Sequence, residues 1–110
     1  MQSAVQVKGV RFIAKEVEMD VDDMKTISFS FRKEEKLAMV LGAKLGEKAI
    51  LSVMLTDDLV AKGLNASAII NDIAKEIGGG GGGQAFFATA GGTNPNGISE
   101  AFIKAKTFIA

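Results

Sequence analysis

Six consecutive glycines, Gly78–Gly83, constrain this chain more than any other feature of it. Glycine loses more backbone freedom on folding than any other residue, roughly 0.5–1 kcal/mol relative to alanine at each ordered position. Such a run is either a flexible linker or a segment whose lack of side chains is itself required. A linker favours Ser-rich surroundings and a domain on each side. Here the tract leads into Gln84-Ala85-Phe86-Phe87-Ala88-Thr89-Ala90, which is small and apolar, then into a second pair, Gly91-Gly92. The other use is close approach of backbone to another surface. Bare successive amides converge into an anion-binding nest, which suits a phosphate or the sugar-phosphate edge of a folded RNA. Packing of the loop against a sheet is the competing structural use, and the two are compatible.

Two phosphate-binding motifs fail on inspection. Six glycines match G-x-G-x-x-G trivially, but that fingerprint follows a strand and opens a helix, whereas this tract follows a helical pattern. The P-loop needs Lys and Ser/Thr after its last glycine, and Gln84 and Ala85 stand there.

Composition narrows the chemistry further. There is no histidine and no cysteine, which removes imidazole and thiolate metal sites, disulfides, and every nucleophile–histidine arrangement. The pairs Asp22/Asp23, Glu34/Glu35 and Asp57/Asp58 are sequence neighbours whose side chains point apart, so capping and solubility explain them better than acid–base catalysis. We therefore expect no catalytic residue and no metal site. The 13 basic and 13 acidic side chains cancel. A domain binding nucleic acid by counterion release alone would be basic, so any such contact here is local or shape-based. With 47% hydrophobic and 24% charged residues in 110, the chain reads as one globular domain, residues 1–110. No apolar run reaches the roughly 18 residues that span a bilayer. Met1-Gln2-Ser3-Ala4 also lacks the pattern of a secretory signal, so the expectation is a cytoplasmic protein.

Periodicity gives the elements. Val5–Val17 reads as one first strand, with Val10, Phe12 and Ala14 on one side and Arg11, Ile13 and Lys15 on the other. Between Asp22 and Glu35 the spacing of Met24, Ile27 and Phe31 favours a helix over the strand that Ile27, Phe29 and Phe31 would make. Leu37–Ala43 and Ala49–Leu55 are nearly continuous apolar runs, as in strands covered on both faces, joined as a hairpin through 44–48. Thr56 offers an N-cap to a short helix ending at Gly63. Asn65 caps a helix with the stripe Ala66, Ile69, Ile70, Ile73 and Ile77, closed by Gly78. A last helix starts near Pro95 or Ile98 and carries Ile98, Ala101, Phe102, Ala105 and Ile109. The fold class is α/β (α+β), a mixed sheet covered by helices, with the glycine loop exposed at one end.

Gly78–Gly83, then Ala88-Thr89-Ala90-Gly91-Gly92 and Asn94-Pro95-Asn96-Gly97, resembles the C-terminal domain of alanyl-tRNA synthetases. Asp57-Asp58-Leu59-Val60-Ala61-Lys62-Gly63-Leu64 and the following Ala/Ile helix are similar to the same family, and the resemblance spans about Val10 to Ile109. It implies a βαββα-type domain, shared with the accessory domain of DHH phosphoesterases, that contacts the elbow of a tRNA for alanine and supports aminoacylation and editing. The domain itself would be no enzyme. The parent would be an ATP-dependent alanine–tRNA ligase using magnesium and zinc in catalytic and editing domains upstream, with a helical segment through which members form homo-oligomers. The candidate contact residues are Gly78, Gly79, Gly80, Gly81, Gly82, Gly83, Gln84, Thr93 and Asn94, with Lys62 and Lys104 touching the tRNA backbone. Two departures remove charge: Gln84-Ala85 replaces the Arg-Pro of many members, and Thr93 a frequent lysine. The alternatives are an accessory domain of a DHH-type phosphoesterase, whose shorter glycine run ends in histidine where Gln84 stands, and a free-standing RNA-binding paralogue of the synthetase tail.

Overall fold

The computed structural model describes residues 4–7, 9–18, 20–31 and 33–109; the reading of Met1-Gln2-Ser3 lies outside them. Among the described residues, six strands form one sheet in the order β1-β2-β3-β4-β6-β5. They are β1 (Ala4–Val7), β2 (Val10–Val17), β3 (Leu37–Leu45), β4 (Lys48–Leu55), β5 (Gly80–Gly83) and β6 (Phe87–Gly92). Only β2 and β3 run parallel, joined by the crossover helix α1 (Val21–Ser30); the other neighbours are antiparallel. The mixed sheet covered by helices is therefore present.

One expectation fails at the start of the chain. The single strand over Val5–Val17 is a hairpin, broken at Gly9, whose φ of +81° turns the chain back so that Val7 pairs with Val10. Gly9 is left-handed there, a signal that β-branched residues on both sides mask.

Each face of the sheet has its own core. Val10, Phe12, Ala38, Val40, Leu51, Val53, Ala88 and Ala90 pack under α2 (Asp57–Ala61), α3 (Ala66–Ile73) and α4 (Ile98–Ile109). Ile13, Leu37, Met39, Leu41, Met54 and Phe87 face the other way, with Met24 of α1. Burial on both sides is why β3 and β4 read as unbroken apolar runs. The stripe of α1 is not the expected one: Met24 and Ser28 are fully buried and Phe31 half-buried, while Ile27 is 40% exposed. Spacing of four, then three, fits the helical repeat as well as the spacing through Ile27, so the choice of stripe belongs to the sheet.

The expected cap of α3 holds. Asn65 Oδ1 accepts from Ala68 N–H at 3.2 Å, and all five stripe residues of α3 and its extension are buried. The extension, Ala74–Ile77, is a 3₁₀ turn, ended by Gly78 at φ +67°, ψ +37°. In α4, Ile98, Ala101 and Ala105 are buried and Phe102 half-buried; the side chain of Ile109 lies outside the described part.

Thr56 stands at the N-cap position of α2, which ends at Ala61 rather than Gly63, but its side chain makes no capping bond. Its buried hydroxyl accepts from Leu37 N–H at 3.1 Å and donates to Asp58 Oδ1 at 2.6 Å, while Asp58 Oδ2 accepts from Lys36 N–H at 2.9 Å. These bonds tie the start of α2 to the start of β3. The Thr56 bond, aided by backbone N–H donors and opposed by partial burial, holds the Asp58 carboxyl below its ordinary pKa. A carboxyl with a depressed folded pKa stabilises above its unfolded pKa of 3.8 and loses that contribution as pH falls through the folded value. Asp58→Asn is expected to lose stability near neutral pH and to show a shallower decline in thermal midpoint below about pH 4. Parallel pH profiles for the two proteins would contradict this.

Candidate nucleic-acid interface

The glycine tract is not a loop. Gly80–Gly83 form an edge strand in register with β6: Gly80 opposite Gly91, Gly81 opposite Ala90, Gly82 opposite Thr89, Gly83 opposite Ala88. Apart from Gly78, no glycine of the tract has a left-handed φ, so the expected nest of alternating left- and right-handed residues does not form. What replaces it is the extended strand Gly80–Gly83, within a stretch exposed from Gly78 to Gln84.

The hydrogen-bond phase of this strand follows from one contact. Gln84 N–H donates to the Phe87 carbonyl at 2.8 Å, extending the β5–β6 register by one pair. Opposed residues in an antiparallel pair alternate between bonded and non-bonded positions. Gly82/Thr89 and Gly80/Gly91 are therefore bonded pairs, and Gly81 and Gly83 turn their N–H and C=O groups to the open edge. Natural sheets usually guard such an edge with lysine, proline or a covering element. Here the strand carries no side chain at all.

The six glycines then divide by what holds them. A Cβ on Gly79 would sit 1.9 Å from the Gly91 carbonyl oxygen, one on Gly81 2.1 Å from that of Thr89, and one on Gly83 2.6 Å from that of Phe87. Backbone occupies those positions, so no side chain fits. Gly78 is needed for its left-handed turn. At Gly80 and Gly82, by contrast, a Cβ would meet nothing within 4 Å, and neither has a left-handed φ. Architecture accounts for four of the six, and two are bare for no reason internal to the fold.

The remaining candidates separate. Thr93 and Asn94 lie beside Gly78: a Cβ there would be 3.6 Å from Thr93 Oγ1 and 3.7 Å from Asn94 Cβ. Asn94 is anchored, its N–H donating to the Ile77 carbonyl at 2.8 Å and its side-chain amide to that of Glu76 at 3.3 Å. Gln84 stands at the opposite end of β5. Near that end, Leu55 N–H donates to the Phe86 carbonyl and Ala66 N–H to the Ala85 carbonyl. Lys62, exposed at the C-cap of α2, follows that same end of β4. Lys104 is engaged, with Asp72 Oδ1 at 3.5 Å and Glu76 Oε2 at 3.4 Å. Partial desolvation works against its ammonium, but the two carboxylates outweigh it and raise its pKa. It clamps α4 to α3 and its 3₁₀ extension.

Sequence reasoning missed a groove beside the strand. It has a volume of about 350 Å³ and is lined by Asp22, Lys25 and Phe29 of α1, by Gly82–Gln84, and by residues 86–89. Phe29 is 37% exposed; Phe87, 8% exposed, backs it edge-on at 5.2 Å, and Phe86 meets it at 5.9 Å and 49°. Lys25 Nζ lies 5.5 Å from the centre of the Phe29 ring. Such an exposed ammonium–ring contact is worth about 0.5–1 kcal/mol, no more than the roughly 1–3 kcal/mol of a base stacked on an aromatic ring. One signal was available: Phe29 is a large apolar residue off the expected Met24–Ile27–Phe31 stripe. A second depression, about 330 Å³, is lined by Lys48, Ala49, Ile50, Gly91, Gly92 and Thr93 at the other end of the shelf. Among the described residues, no three acidic side chains gather into a metal-binding group, and no helix is long and apolar enough to cross a membrane.

A family model described as the DHHA1 domain matches residues 8–110. This chain belongs to the DHHA1 domain family. It is 45% identical over 105 residues to an alanine–tRNA ligase of Christiangramia forsetii and 39% identical over 107 residues to one of Pediococcus pentosaceus, covering 94% and 96% of this chain. It spans only 12% of the length of either relative. Among solved structures, this DHHA1 domain resembles the C-Ala domain of Aquifex aeolicus alanyl-tRNA synthetase, with a TM-score of 0.85 at 22% identity over 96% of each chain. A DHH-domain structure described as a member of the s1p family of ribosomal proteins aligns with a TM-score of 0.55 at 15% identity, over 94% of this chain and 27% of that one. Both likenesses establish the fold.

Proposed function

We propose that this chain is the tRNA-binding C-terminal domain of an alanine–tRNA ligase, itself without catalytic activity. It presents the β5 edge to the elbow of the tRNA and so supports aminoacylation and editing by the rest of the enzyme. The carrying observation is Gly80 and Gly82, exposed, extended and free of any internal reason to be glycine. A strand edge bare on its outer side lets a rigid sugar-phosphate surface approach the outward amides of Gly81 and Gly83. RNA folds are distinguished mainly through such backbone, 2′-OH and stacking contacts. The zero net charge suits recognition by shape, and the alanine–tRNA ligases among its relatives favour this partner over a phosphoesterase substrate. In this reading ATP, magnesium and zinc belong to the catalytic and editing domains of a longer cytoplasmic chain. Oligomerisation belongs to a segment outside this domain.

Binding to an alanine tRNA, compared with a hairpin of equal length lacking the elbow, tests the reading. We expect at least about tenfold preference for the tRNA, a difference of about 1.4 kcal/mol. Gly80→Val and Gly82→Val should abolish the preference while leaving the thermal midpoint nearly unchanged. Equal affinity for tRNA and hairpin would sink the proposal, as would valine variants that bind like the parent.

A further inference from the structure

We infer that the groove between α1 and the β5–β6 edge takes one unpaired nucleotide of a bound RNA, its base stacked on Phe29 with the tilted Phe86 ring at its side and its phosphate beside Lys25. This deepens the tRNA-binding reading and rests on it. The two rings line the same groove, and Phe87, packed edge-on behind Phe29, holds that ring in place while leaving it more than a third exposed. The ammonium of Lys25 occupies the approach to the Phe29 ring. An arriving base displaces it, because a stacked ring is the stronger partner, and the freed ammonium then meets the phosphate of the same nucleotide.

Polar residues line the same groove. Gly83 turns its N–H and C=O outward, Gln84 brings a side-chain amide with both donor and acceptor, and Thr89 contributes a half-buried hydroxyl to the groove wall. The Asp22 carboxylate, one helical turn before Lys25, accepts from an exocyclic amine and repels a phosphate from that wall. The volume of about 350 Å³ lies at the small end of ligand sites, enough for one nucleotide but not for a duplex. An aromatic peptide side chain would fill the ring site but leave Lys25 and the edge groups unmatched.

The probe is an RNA tetranucleotide carrying 2-aminopurine, whose fluorescence falls on stacking, titrated with the 110-residue chain. We expect quenching with the parent protein. Phe29→Leu, which keeps apolar contact with Phe87, should weaken binding roughly tenfold and remove the quench. Lys25→Gln, at an exposed site that does not threaten folding, should weaken binding and lower the salt dependence by about one phosphate contact. No quenching by the parent, or variants that bind as the parent does, overturns the inference. Competition by adenosine 5′-monophosphate as strong as by the tetranucleotide marks a free-nucleotide site and overturns the RNA assignment. Elbow-specific tRNA binding with a silent groove sinks this inference alone, whereas a working groove without elbow preference sinks the proposed function alone.

Discussion

Gly81→Ala is expected to lower folding stability by about 3 kcal/mol, while Gly82→Ala, one residue along the same strand, changes it by less than about 0.5 kcal/mol. The difference does not come from chemistry, because both changes add one methyl group to an exposed glycine. At Gly81 the methyl carbon would stand 2.1 Å from the Thr89 carbonyl oxygen and 2.5 Å from Ala90 Cα, both backbone atoms. Neither can move aside without opening the β5–β6 ladder. The gain from restricting the unfolded chain, about 0.4–1 kcal/mol for glycine to alanine, does not offset that loss. At Gly82 the methyl carbon enters open space. Denaturant midpoints of the two variants against the parent decide it, and two equally stable variants would show that β5 does not lie as close to β6 as the structure has it. The same pair separates architecture from contact, because tRNA affinity can be measured in Gly82 variants whose fold is intact.

Truncating Leu51 should be of similar or larger effect. Leu51 is fully buried in the centre of β4, on the face covered by α3 and α4. Its neighbours across the sheet are Gly42 on β3 and Ala90 on β6. Neither has atoms that could swing into the space left by the missing isobutyl group. Leu51→Ala therefore leaves a cavity that relaxes poorly, and such sites lie towards the upper part of the 2–5 kcal/mol range for large-to-small core changes. We expect about 4 kcal/mol, a large share of a total stability of about 5–15 kcal/mol. A loss below about 1 kcal/mol, measured by equilibrium unfolding, would mean that α4 closes onto the sheet and that the core is less fixed than its packing indicates.

Much of the fold was legible because its signals are local. Asn65, the isoleucine stripe and Gly78 specify the start, buried side and end of α3 with its 3₁₀ extension within fourteen residues, and each is where the periodicity puts it. The β3–β4 hairpin is written in two apolar runs and a short polar turn. Glycine carries no such signal. Without side chains a run of six has neither a period of two nor one of 3.6, so nothing local tells a strand from a loop. Gly80–Gly83 became a strand because α3 and its 3₁₀ extension deliver them alongside β6.

The candidate site was legible as a place but not as a mechanism. Composition located the bare backbone at Gly78–Gly83 and excluded histidine- and cysteine-based chemistry. Which glycines are forced and which are free depends on how closely each approaches the β6 backbone, and which amides face outward is seen only once Gln84 is found bonded to Phe87. Lys104 looked available in sequence because Asp72 and Glu76 are remote along the chain, and helix packing brings all three together. Phe29 and Phe86 are 57 positions apart, and no periodicity within either segment announces their meeting.

By itself, then, the sequence determined the helices, the β3–β4 hairpin, the family resemblance and the stretch of exposed main chain, since each depends on neighbours within one or two turns or on residue types simply present or absent. Tertiary structure alone decided that this stretch is a sheet edge, that only Gly80 and Gly82 are bare without internal cause, and that an aromatic groove lies beside them. Those outcomes depend on strand register and helix placement, which are set by the joint burial of residues far apart in the chain.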